Sequence, residues 1–592
     1  MDPAELAASI ITQAATKAGK KQCAYFSSNI EGELSEDELG TDAKAILAAA
    51  AKVCSFFFRP DNAQDPFGPK FQSSEGRTPI PKDLNEDELA KLQELAKYLP
   101  LIELKPRVLD VLWLRKRDSE VARRAIDQYM QLATEAITSK DWHLSVACLE
   151  RSIRLASLFR RKHPEIMESV VSALETWSSN TEDAEWRYVS ARSIRALHQF
   201  GESDASELFA KAKAIAEGAQ RDDDFSWAEE CWIQAIRCAR ITKNDSQTIE
   251  AQTALAELYL QRGQSGSESS MIAAHWLEKA FTAYKAVPGT KEIRESIYQQ
   301  MLSRQQSALD EMTTFEESID ISDLIVKAAE TVGGLSAKQS LFALAFRIAP
   351  LPNYEEVKEQ ALELAQKYPL SSMFGIAHLD EEGKIVARTP GAIDSDQQSF
   401  DREVYKHVSF YHQTIVHGSI VPAISVIEAE HYLAESDLLP LTFNNPFIKP
   451  GQERLYAKLL LAGLHRDFIV AIAIGIPALE SSMRYVLQSH GVRVSTLNAS
   501  GIQEAIRLPA ILDHSKAEEV FGLNLIRDLK GLLLERTYGN LRNKVSHGLF
   551  TDGTFYQPSA IYLWWLILRL CLMPYVEDVL EDDHDEGNAE EI

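Results

Sequence analysis

The sequence predicts an all-α protein: an N-terminal irregular helical-repeat array, a small hairpin connector and a C-terminal helical bundle. Three observations predict it. From about residue 101 to 345, Glu, Ala, Leu, Lys and Arg dominate, apolar residues recur at helical spacing, and strand-like alternation is scarce. Segments inside that region resemble one another at offsets near multiples of 40 residues. Ile469 to Ile476 is a continuous apolar run within a helical pattern, which marks the buried centre of a C-terminal domain.

In chain order, residues 4–19 and 43–58 read as two Ala-rich helices. Arg59 to Lys82 is rich in Pro, Gly, Ser and Asp and reads as a loop, after which a helical pattern resumes from Asp83 through Leu99. The resembling segments are Cys148 to Ala156, Cys231 to Ala239 and Trp276 to Tyr284, at offsets of 83 and 45 residues. Each sets small residues between large apolar ones, which suits stacked helix pairs. Residues 101–345 therefore read as a degenerate α-solenoid, similar to tetratricopeptide arrays. A non-repeating helical bundle is the alternative. The Trp and Tyr stripes read as core, and a solenoid's concave face is the natural place for a protein partner or trigger.

Around 346–395 the texture changes. Ala349-Pro350-Leu351-Pro352 breaks helix, a helix follows to Lys367, and Ile376 to Leu379 and Ile385 to Ala387 flank an acidic turn ending at Gly383. That is a β-hairpin pattern. Asp394 to Asp401 is polar and reads as a loop, and residues 396–576 form the C-terminal domain. His407, His412 and His417 are five apart, whereas metal ligands on one helix face want three or four. They read as partly exposed helix positions, and no metal is expected. Ser559 to Tyr575 is interrupted by Arg569 and ended by Pro574, so it reads as a packing helix, with a dimer interface as one place for it, in preference to a membrane anchor. Glu577 to Ile592 is acidic and expected to be disordered.

A formal net charge of −25 argues against broad electrostatic capture of nucleic acid, while leaving room for a local basic cleft. The six cysteines form no Cys-x-x-Cys pair, and Cys231 and Cys238 read as small core residues, which speaks against a zinc or disulfide framework. The N-terminal stretch has neither a basic region nor an apolar run, so no signal peptide and a cytoplasmic location are expected.

The chemistry-bearing stretch is Leu541 to Leu549, Leu-Arg-Asn-Lys-Val-Ser-His-Gly-Leu. Gly539-Asn540 before it and Gly548 after it are turn and cap residues, so Asn540 reads as an N-cap, Arg542 as first-turn and His547 as near the helix end. A helix start offers free N–H groups to a phosphate, Arg adds a planar fork, and His exchanges protons near neutral pH. On a straight helix Arg542 and His547 lie roughly 140° apart, so only the reach of Arg or a bend brings both to one phosphate. Asn543 and His547 share a face. The plain structural reading is a cap at Asn543, a satisfied polar contact at His547 and a solvated Arg542. Upstream, Glu480 and Arg484 are four apart: either an ordinary i,i+4 ion pair, or a carboxylate that orients His547.

Arg542-Asn543-Lys544-Val545-Ser546-His547 resembles the Arg-x4-His motif of the HEPN superfamily, and Leu459 to Asp467 followed by Ile476 to Arg484 resembles a HEPN branch found at the C-terminus of long helical proteins. The resemblance spans roughly residues 440–575. Many HEPN proteins are metal-independent ribonucleases of toxin–antitoxin, anti-phage and RNA-decay systems, and some lack the activity. The resemblance implies attack by the RNA's own 2′-hydroxyl, with His547 as acid–base group, Arg542 stabilising charge on the phosphate, Asn543 positioning either, and no cofactor. It also implies a homodimer through the C-terminal domain, so that two motifs supply both a base and an acid. The rival expectation is a non-catalytic helical-repeat scaffold whose HEPN domain only dimerises or binds nucleotide or RNA.

Overall fold

Short polar side chains start the helices. Asp2, Asn85, Asp118, Asp141, Asp204 and Asn244 each accept a hydrogen bond from a first-turn N–H, and Asn85 and Glu88 form a reciprocal capping box. In the computed structural model, residues 2–33, 39–62, 65–73, 76–266, 268–313, 318–368, 375–380, 382–389 and 397–576 are described. The fold is all-α, about 72% helical, and the chain divides into two compact units, Met1–Ala308 and Leu309–Ile592.

The first unit opens with α1 (Pro3–Ala18), α2 (Cys23–Glu33) and α3 (Thr41–Ser55). Two short hairpins follow: β1 (Phe57–Phe58), at the end of the stretch read as helix, pairs with β2 (Phe67–Gly68), and β3 (Gln72–Ser73) pairs with β4 (Gly76–Arg77) within the segment read as loop. Then come α4 (Glu86–Tyr98), α5 (Leu104–Lys116), α6 (Ser119–Thr138), α7 (Trp142–Phe159), α8 (Pro164–Ser178), α9 (Arg187–Phe200), α10 (Ala205–Arg221), α11 (Phe225–Ile241), α12 (Asp245–Gln264), α13 (Ser270–Tyr284) and α14 (Lys291–Glu311).

The three resembling segments fall on α7, α11 and α13, the second helices of the pairs α6–α7, α10–α11 and α12–α13. α9, the second helix of the pair α8–α9, packs against both α7 and α11, so second helices stack across these three pairs. Three of the links share one design, a left-handed residue between a helix end and an Asp or Asn: Ser139-Lys140-Asp141, Asp222-Asp223-Asp224 and Thr242-Lys243-Asn244. Cys148, Cys231, Cys238 and the small alanines around them are buried where neighbouring helices meet. The core also holds charge. Arg151 donates to both carboxylate oxygens of Asp110 at 2.7 and 2.9 Å, and Glu103 accepts from Arg107 at 2.7 Å.

The second unit begins earlier than the sequence suggests. α15 (Ser322–Val332) and α16 (Ala337–Phe346) carry the same helical texture as the solenoid, yet their apolar faces join the C-terminal core. The reason is a set of specific bonds: carbonyls of Leu344 and Ala345 accept from Trp565 Nε1 at 2.7 Å and Arg569 at 2.8 Å. The expected solenoid end at residue 345 is thus corrected to about 308. The expected connector is also part of this unit, because α17 (Tyr354–Lys367) shares a small core with Val404, Tyr405 and Val408.

The hairpin expectation holds, with β5 (Ile376–Leu379) antiparallel to β6 (Ile385–Thr389). α18 (Gln397–Ile415) begins inside the polar stretch read as a loop, a second correction; 394–396 and the acidic 577–592 lie outside the described residues. α18 runs through a π turn, Val416–Ile420, into α19 (Val421–Glu430). Pro422 lacks the N–H a regular helix needs there, and the wide turn just before it accommodates that loss. α20 (Glu435–Thr442), α21 (Glu453–Leu464) and α22 (Phe468–Ser489) follow, then β7 (Ser495–Leu497) and β8 (Gln503–Ala505), α23 (Leu508–Leu512), α24 (Ser515–Phe521), α25 (Leu523–Leu533), α26 (Leu541–His547), α27 (Asp552–Phe555) and α28 (Pro558–Leu572).

α28 is the central core helix, with Trp564 and Trp565 fully buried. Its 15 residues fall short of the roughly 20 that span a bilayer. α22 has the length and apolarity of a span by composition, and half of that stretch is buried inside the unit.

The three histidines read as alike are not. His412 is completely buried, His407 half-buried and His417 exposed. Five residues along α18 turn His412 about 140° from His407, which carries it to the core face, while His417 falls in the π turn.

Candidate functional site

α25 ends at Leu533 and the chain must reverse to begin α26. Gly539 makes the reversal possible: a Cβ there would lie 2.2 Å from the Leu532 carbonyl oxygen. Its N–H donates to the Gly531 carbonyl at 3.3 Å. Asn540 then takes the left-handed conformation, φ +51°, which Asn tolerates better than other non-glycine residues. α26 occupies seven residues and closes on Gly548, φ +68°. Leu549 N–H donates to the Lys544 carbonyl at 2.8 Å and Gly548 N–H to Val545, a Schellman-type end. The motif helix is thus pinned by a left-handed residue at each end.

Asn540 stands at the N-cap position but does not cap with its side chain, which corrects the sequence reading. Its Oδ1 accepts from Asn543 Nδ2 at 2.8 Å instead. At under two turns the helix also has little macrodipole to offer a phosphate. What remains for an anion is side-chain chemistry. Arg542 is half-buried, and its guanidinium lies 3.4 Å from Asn543 Oδ1. His547 is exposed. Asn543 therefore links Asn540 to Arg542, while His547 stands in solvent at the helix end.

Glu480 is committed elsewhere. Its carboxylate accepts from Arg484 at 2.7 Å, and Arg484 also donates to the Ile506 carbonyl at 3.1 Å. The ion-pair reading holds, and Glu480 makes no hydrogen bond to His547 among the described residues. Among the described residues no carboxylate bonds to His547, and no group of three His, Cys, Asp or Glu side chains converges on a possible metal position.

Two features of the site were not visible in the motif. Between Arg527 and His547 the chain carries Arg527, Lys530, Arg536, Arg542 and Lys544 against Asp528 and Glu535, and Asp528 is fully buried. The segment is locally basic on an acidic chain. Beside it, Leu549 (68% exposed), Phe550 and Tyr556 stand in solvent together with Ile469 and Val470 at the start of α22. Tyr556 meets Phe468 edge-on at 6.1 Å and Phe550 meets Phe555 at 4.9 Å.

Residues 2–168 match a family model described as a domain of unknown function, DUF7380. The match covers α1 to α7 and the start of α8 and does not reach the Arg542 segment. No curated protein matches the chain.

Proposed function

We propose that the protein is a metal-independent endoribonuclease of HEPN type, working as a homodimer through its C-terminal unit. The observation that carries the reading is the presentation of Arg542, Asn543 and His547 on a short helix fixed at both ends, within a locally basic segment of an otherwise acidic chain. Arg542 offers the fork that binds a phosphate and neutralises the charge that builds on it. His547, free of a structural partner among the described residues, is open to take a proton from the 2′-hydroxyl or return one to the leaving 5′-oxygen. One chain supplies one such imidazole. The exposed apolar side chains Leu549 and Phe550, directly after the motif, support a second copy docking there, which would bring a second His547.

The helical-repeat unit would serve as the regulatory part, holding the nuclease in check until a partner or trigger binds, in the manner of a toxin or defence effector. Six buried free thiols suit the reducing cytoplasm. No membrane is involved in this reading.

The test is cleavage of mixed RNA in EDTA by wild type, Arg542→Ala and His547→Ala. Expected are cuts that survive chelation, 2′,3′-cyclic phosphate ends, resistant DNA, and losses of about 10²-fold or more in both variants. A second reading, a non-catalytic scaffold, is favoured by the commitment of Glu480 to Arg484, which leaves His547 without an orienting carboxylate. Absence of cutting by wild type and by a chain lacking residues 1–308 would select it.

A further inference from the structure

His412 is the most unusual side chain in the C-terminal unit. Its imidazole is fully buried, stacked on the Tyr562 ring at a centroid distance of 3.7 Å. Nδ1 is hydrogen-bonded to the Tyr538 hydroxyl. With Nδ1 accepting, the ring proton sits on Nε2, 3.0 Å from Asp528 Oδ1 at an angle too bent for a good hydrogen bond. Asp528, also fully buried, accepts from the Tyr354 hydroxyl at 3.2 Å and the Tyr562 hydroxyl at 3.0 Å. Five elements meet there: α17, α18, α25, the turn before α26, and α28.

A buried ionisable pair is a poor way to gain stability, since apolar residues of the same volume do as well or better. What it supplies is direction. The imidazole fixes where the Tyr538 hydroxyl sits, and Tyr538 is followed by Gly539 and Asn540, the two residues that set the entry of α26. The other end of the chain segment is held as well, because Asp528 lies on α25, whose last carbonyls Gly539 touches.

We propose that His412 is a positioning residue for the Arg542–His547 helix, acting through Tyr538, so that the core of the unit sets the geometry of the exposed motif. As a statement about catalysis this rests on the ribonuclease reading; as a statement about position it does not. The network touches no substrate. It fixes the rotation and entry angle of a seven-residue helix that has too little length to hold itself.

The test uses the full chain with Tyr538→Phe, His412→Asn and His412→Gln. Asn places its oxygen near the position of Nδ1 and can still accept from Tyr538; Gln reaches instead toward Asp528. Amide exchange is followed across 540–548 and across 558–572, and RNA cleavage is resolved into kcat and KM. Expected for Tyr538→Phe is exchange faster by roughly three- to tenfold in 540–548 alone, with kcat lowered by a similar factor and KM unchanged. His412→Gln should match it and His412→Asn should lie near wild type. Unchanged exchange at 540–548 in Tyr538→Phe, acceleration spread equally over 558–572, or faster exchange with unaltered kcat in an active enzyme would each overturn the proposal. If wild type does not cut RNA, the nuclease reading fails, and the exchange measurements still decide whether His412 positions the helix.

Discussion

Each unit holds a fully buried aspartate bonded to tyrosine, and the two are built differently. In the helical-repeat unit Asp110 accepts two bonds from Arg151 and a longer one from the Tyr129 hydroxyl at 3.3 Å. In the C-terminal unit Asp528 accepts from two tyrosines and faces a histidine. Arg stays protonated at any pH a protein survives, so the first arrangement is a permanent clamp between α5 and α7. His412 instead offers two distinct ring nitrogens, one toward the Tyr538 hydroxyl and one toward Asp528, so the second is a directional network. In both, burial and the aspartate push the tyrosine hydroxyl well above its ordinary range, so Tyr129, Tyr354 and Tyr562 remain donors. The comparison teaches that a fixed charge suits a repeat interface that only has to hold, whereas a ring with two distinct nitrogens can aim a turn.

Breaking the clamp should produce the largest effect. Asp110→Ala leaves Arg151 buried without its anion, and the loss should be about 3–5 kcal/mol in the N-terminal unit. Urea unfolding read by amide exchange in each unit would show it confined to residues before 308. A close second is steric. A Cβ at Gly463 would lie 2.0 Å from Trp564 Nε1, whereas one at Gly263 meets Leu277 Cγ at 2.7 Å. Gly463→Ala should cost about 3 kcal/mol, and Gly263→Ala less, because an aliphatic side chain can shift where a buried indole cannot. Equal losses would show that the two cores are equally yielding.

Asp528→Asn should cost about 1–3 kcal/mol, less than Asp110→Ala, because the amide oxygen can still accept from a tyrosine and no buried guanidinium is stranded. A loss as large as that of Asp110→Ala would refute the distinction between clamp and network. The smallest effect expected is one of pH. The Arg77 hydrogen bond, helped by the Ile80 N–H, holds Asp83 far below the usual carboxylate range. Burial raises Glu88, but Lys52 and the Asn85 N–H outweigh it and leave the group lowered. Groups depressed by folding stabilise fully above their unfolded values and lose that contribution as pH falls through the folded ones. Thermal melts should therefore show the N-terminal unit weakening from about pH 4.5 downward, with Asp83→Asn flattening part of the slope.

Much of the fold was legible. Helical periodicity, the resemblance of the segments at Cys148, Cys231 and Trp276, the hairpin at Ile376 and Ile385 and the Glu480–Arg484 pair all depend on residues near one another in sequence. The unit boundary was not, because α15 and α16 look like solenoid helices until Trp565 and Arg569 bond their carbonyls from more than 200 positions away. The candidate site divides in the same way. Arg542, Asn543 and His547 stand out as a spaced motif, but the turn that presents them depends on a tyrosine whose partner, His412, is 126 residues upstream. Spacing carries no information about such a contact, and the three evenly spaced histidines gave no reason to single out the middle one.

Sequence by itself determined which stretches become helix, where small residues permit helices to stack, and which side chains are chemically able to hold a phosphate. These follow from local propensity and periodicity, which act over a few residues. Only the tertiary structure decided that His412 is buried, that Asp528 meets it, that Glu480 pairs with Arg484 and that His547 is exposed. Burial and long-range hydrogen bonds are properties of which faces meet, and that is set by the packing of the whole unit.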